Sequence, residues 1–98
     1  MADDRFEEET ISPDGSWRLR RYRDWFEFND GYDESWELTR TGSDAVVQSF
    51  GARITWSAAH GWESGTRSVV FSADGEELIV KNYDGSEERI ALRSLRRD

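Results

Sequence analysis

The chain has 98 residues, no cysteine and a formal net charge of −8, from 21 Asp and Glu against 13 Lys and Arg. That length suits one domain. The missing cysteines exclude a disulfide scaffold or thiolate zinc site, and the acidity argues against direct binding of duplex nucleic acid. No apolar run nears the roughly 20 residues of a membrane span, and Met1-Ala2-Asp3-Asp4 lacks a signal peptide's apolar core, so a cytoplasmic protein is expected. The aromatic content, five Trp, five Phe and three Tyr, is enough for a core at about 150–250 Å² per buried ring. Arg outnumbers Lys 12 to 1, a bias that suits a GC-rich bacterial or phage genome.

In chain order, residues 1–10, with Asp3, Asp4, Glu7, Glu8 and Glu9, read as a flexible acidic arm. From 11 to 95 the punctuation is regular. Asp-Gly turn signals stand at 14–15, 30–31, 74–75 and 84–85. Between them, period-2 alternation marks half-buried strands. Trp17 and Leu19 oppose Arg18 and Arg20, while Phe26 and Phe28 share a face. Trp36 and Leu38 oppose Glu37 and Thr39. Val46 and Phe50, then Ile54 and Trp56, continue on either side of Gly51, which marks either a bend in one strand or a break between two. Ser57 to Thr66 reads as the longest connection. Val69 with Phe71 marks a further strand, and the runs around Leu78 to Val80 and Ile90 to Leu92 form a hairpin closed by Asn82-Tyr83-Asp84-Gly85-Ser86. The C-terminal stretch is expected to be a strand ending in a basic tail, 96–98.

The fold expected is therefore all-β: a single small domain of six or seven antiparallel strands in meander order, as a bent sheet, sandwich or small open barrel.

Ile11-Ser12-Pro13-Asp14-Gly15 recurs as Phe71-Ser72-Ala73-Asp74-Gly75, 60 residues on. The shared apolar-Ser-x-Asp-Gly pattern followed by a strand resembles hairpins in the blades of TolB-type and related β-propellers. A propeller typically needs four or more blades, and this chain can supply at most two, so no propeller function is carried over. Two hairpins that share one turn chemistry, with Ser capping and Asp-Gly supplying positive φ, account for the echo.

Charge is blocked. Arg18, Arg20, Arg21 and Arg23 lie between the acidic arm and an acidic stretch holding Asp24, Glu27, Asp30, Asp33, Glu34 and Glu37, so cross-strand pairing is expected to neutralise part of it. The turn Asn29 to Glu34 fails EF-hand spacing, and no metal or cofactor is expected. His60, the one histidine, lies near Trp62, Glu63 and Ser64, but no nucleophile elbow accompanies it. A chain this small is also hard pressed to build both a core and a deep pocket, so no enzyme is expected. Trp17, Trp36 and Trp56 sit at core-type positions, leaving Trp25 and Trp62 as candidates for exposure.

These features point to a small acidic non-enzymatic binding protein. It is expected to be an inhibitor or immunity-type protein docking on a basic surface or active-site cleft of a partner, such as a toxin or nucleic-acid enzyme. The expected contacts are Trp25, Asp30, Tyr32, Asp33, Glu34, His60, Trp62 and Glu63, on a monomer or weak dimer. Two alternatives are a carbohydrate- or ligand-binding β-module using exposed Trp, and an oligomeric structural β protein.

Overall fold

The computed structural model describes residues 4–27, 30–56 and 62–95. They form seven antiparallel strands: β1 (Phe6–Ile11), β2 (Trp17–Trp25), β3 (Gly31–Arg40), β4 (Val46–Thr55), β5 (Trp62–Phe71), β6 (Glu77–Asn82) and β7 (Glu87–Ala91). Each pairs with the next in chain order, and the sheet does not close into a barrel. A 3₁₀ turn, Leu92–Leu95, follows β7. No helix among the described residues is long and apolar enough to cross a membrane.

The sheet divides along β5. Residues 62–65 pair with β4, whereas Thr66 to Phe71 pair with β6. Gly65 lies at the division with φ +88, and a Cβ there would run into the Gly51 carbonyl oxygen, so only glycine suits this bend. The second part of β5 can then leave β4, and β5–β7 cover the side of β2–β4 that carries Trp17, Leu19, Trp36, Leu38, Ala52 and Ile54. Val69, Leu78, Val80 and Leu92 complete the buried cluster.

The 60-residue echo extends well beyond the turns. Ser12 Oγ donates to Asp14 Oδ1 at 2.8 Å and accepts from Trp17 N at 3.0 Å; Ser72 Oγ does the same with Asp74 Oδ1 at 2.6 Å and Glu77 N at 3.0 Å. Both hairpins carry a bulge at the same place, between Phe6 and Glu8 and between Thr66 and Ser68. Beyond the bulges, Arg23 N donates to the Arg5 carbonyl and Tyr83 N to the Gly65 carbonyl. A third strand joins each hairpin, and Thr41 N bonds the Ser16 carbonyl as Leu92 N bonds that of Glu76. The chain is thus two equivalent three-stranded meanders, with β4 between them. The first buries Trp17 and Leu19, while the second buries Leu78 and Val80, counterparts of Arg18 and Arg20. The units therefore stack the same way round rather than about a twofold axis.

Several expectations change. The arm expected over 1–10 contributes β1 from Phe6, because Glu8 and Glu9 find arginines on β2 at 3.2 and 2.8 Å. At Gly51 the single-strand alternative holds, since it lies inside one continuous β4. The connection expected over 57–66 gives way to β5 at Trp62. Asp30-Gly31 is not a tight turn, since Gly31 already begins β3; the other three Asp-Gly pairs place glycine at φ 74 to 91.

Candidate functional site

Alternation decides what the end of β2, β3 and β4 presents. Trp25 stands opposite Tyr32, and Tyr32 opposite Ile54, so all three side chains share the core-facing side. Trp56 follows on the same side, anchored by its backbone N–H to the Asp30 carbonyl at 2.7 Å. The ring centroids of Trp25, Tyr32 and Trp56 lie 4.8 to 5.7 Å apart, with planes tilted by 37 to 62°. Tyr32 is half-buried, but Trp25 and Trp56 remain 48% and 52% exposed. A three-ring corner is thus open to solvent, although exposing such rings forgoes their burial.

The corner borders a cleft of ≈ 520 Å³ lined by Tyr32, Ile54, Trp56, Glu63, Arg67 and Tyr83. Glu63 and Arg67 form no ion pair among the described residues. Burial, reinforced by Tyr32, Glu34 and Glu63, raises the Tyr83 phenol above its ordinary value, and Arg67 opposes the shift. Arg23 stacks over Tyr32 at 4.4 Å and Trp25 at 5.7 Å, so the corner already accommodates one guanidinium from within the chain.

The expected contact set divides. Trp25, Tyr32 and Glu63 converge here, with the Asp30 backbone holding Trp56. Trp62, opposite Thr55 and 51% exposed, projects to the other side of the sheet. Asp33 also faces that side, held by Arg53 at 2.8 Å. Glu34 is not a surface carboxylate: it is 6% exposed and its Oε2 accepts from Arg21 at 2.9 Å and Arg23 at 3.1 Å. An unpaired carboxylate on the covered side of a sheet would be too costly, so the arginines are its necessary counterparts. His60 lies outside the described residues.

Trp56 is the correction of most consequence. Its core-type parity is right, but it lies one residue past β4, where β5–β7 no longer cover the sheet. Tyr83 and Arg67 carried no signal in the sequence, since both are brought in by the second unit. Compared with known proteins, the chain matches no family model, curated protein or solved structure.

Proposed function

We propose that this is a non-enzymatic binding protein of the inhibitor or immunity type, which docks on a basic surface or active-site cleft of a partner through the Trp25–Tyr32–Trp56 corner. A toxin or nucleic-acid enzyme in a bacterial or phage-infected cytoplasm is the kind of partner that fits. The observation that carries the reading is the exposure of two tryptophans in one packed cluster. Trp and Tyr dominate binding hot spots because they bring large contact area at low entropic cost. One carboxylate, Glu63, lines the cleft beside the rings, and Glu27 and Asp30 belong to the connection between Trp25 and Gly31. Carboxylates near an apolar centre, on a chain of net charge −8, steer a basic partner towards it.

The tilt of the rings weighs against the carbohydrate alternative, which calls for a shared plane on which a sugar face can lie. Glu7, Glu8 and Glu9 on edge strand β1 weigh against edge-to-edge assembly, because antiparallel pairing of two copies would bring like charges together.

The test is an association measurement on a partner captured from the native cell. A Trp25→Ala/Trp56→Ala protein should bind at least about 100-fold more weakly, as for loss of hot-spot residues. Asp30→Lys with Glu63→Lys should slow association and flatten its salt dependence. Association indifferent to salt and to all four changes would overturn the reading.

A further inference from the structure

Next to the aromatic corner, between the two meanders, lies a smaller cleft of ≈ 280 Å³ whose lining includes Arg21, Arg23, Glu34, Trp36, Arg67 and Val69. Arg21 and Arg23 occupy the core-facing side of β2, where a charge needs a partner. Glu34 supplies one oxygen to both, and Glu8 a second bond to Arg21 at 3.2 Å. These carboxylates leave donors unused: Arg23 Nε is buried with no hydrogen-bond partner.

Arg67 brings a third guanidinium. It is the extra residue of the β5 bulge, and bulges re-aim side chains that regular alternation would send elsewhere. Its counterpart in the first unit is Glu7, so the two equivalent bulges carry opposite charges. Arg67 makes no ion pair among the described residues. In this cleft three guanidiniums meet two carboxylates, Glu8 and Glu34, beside Trp36 and Val69, while Arg67 also lines the adjoining cleft with Glu63. In a chain of net charge −8, this is a local excess of cation.

We propose that this cleft binds a small oxyanion, a carboxylate or a phosphoryl group, between Arg23 and Arg67. Guanidinium donors match the spacing of such oxygens and can bond two at once. The anion balances the third cation. The proposal is independent of partner docking, since it concerns the arginines behind the aromatic corner and needs no second protein.

The test is a titration of the isotope-labelled protein with inorganic phosphate and, separately, acetate. Chloride keeps the ionic strength constant, and the arginine Nε–H and Trp36 indole signals are followed. The expected result is saturable movement of the Arg23 and Trp36 signals with at least one anion. Saturation by phosphate alone indicates a phosphoryl ligand, and saturation by acetate as well indicates a carboxylate. Arg67→Gln should weaken binding about tenfold or more, as for loss of charged hydrogen bonds, while Arg53→Gln, on the other side of the sheet, should not. Linear, non-saturating shifts with both anions, or equal binding by Arg67→Gln, would overturn it.

Discussion

Glu34 stands opposite Arg23 in the β2–β3 ladder and accepts a hydrogen bond from it at 3.1 Å on the covered side of the sheet. Its chain neighbour Asp33 bonds Arg53 on the other side, where both partners are about half exposed. The two pairs should respond differently to loss of charge. Glu34→Gln leaves two arginines without their shared anion, at an expected loss of about 2–3 kcal/mol, discounted from the fully buried case because both arginines retain some solvent contact. Asp33→Asn should change stability by less than about 1 kcal/mol. Urea denaturation measures both; equal midpoints would show that Glu34 is solvated.

The repeated turns predict repeated energetics. Ser12 and Ser72 each receive the N–H that begins the next strand, from Trp17 and Glu77. Replacing either with Ala removes that acceptor and should destabilise by about 1–2 kcal/mol. Ser12→Ala should have the larger effect, since Ser12 is buried at 3% exposure and Ser72 is not. Equilibrium unfolding of the two single variants checks this. A Ser72→Ala effect clearly exceeding that of Ser12→Ala would contradict the burial argument.

Turn carboxylates contribute to acid sensitivity. Bonds from Ser72 Oγ and the Glu76 N–H hold the Asp74 carboxyl below its ordinary value; bonds from Ser86 do so for Asp84. A carboxyl lowered by folding stabilises fully above its unfolded value of about 3.9 and loses that contribution as pH falls through the lower folded one. Asp74→Asn should therefore be less stable than the parent at neutral pH, with the gap narrowing below about pH 4. Thermal melts of both proteins from pH 7 to 3 give the difference. A constant gap over that range would exclude linkage through Asp74.

Strand positions and the chain-order pairing were legible because Asp-Gly turns and alternation are local signals. Glu34 shows where that reading stops. The alternation of Trp36 and Leu38 leaves Glu34 in the preceding turn, whereas β3 begins at Gly31, and which side of it is covered depends on β5–β7 folding over it from the bend at Gly65. Trp56 failed for the complementary reason: parity placed it on the core side, yet parity says nothing about where the covering layer ends. Arg67 was beyond reach, since a bulge resets alternation without a residue signature. The arm becomes β1 because Glu8 and Glu9 meet arginines on β2, on the edge of that strand opposite β3.

The tryptophans fall into two groups by burial. Trp17 and Trp36 are 2% and 4% exposed, whereas Trp25, Trp56 and Trp62 are about half exposed. Trp17→Ala should lose about 3–5 kcal/mol, as for a large core truncation. Trp56→Ala forfeits the ring contacts with Trp25 and Tyr32 and the burial of about half the side chain, and should lose about 1–2 kcal/mol. Acrylamide should quench the parent protein strongly, and a variant with Phe at 25, 56 and 62 only weakly, because its remaining tryptophans are buried. If Trp56→Ala proves as damaging as Trp17→Ala, the corner is part of the core and its exposure is not available to a partner. If the small stability effect accompanies a large loss of partner affinity, the rings serve recognition, since little of the fold's stability depends on keeping them.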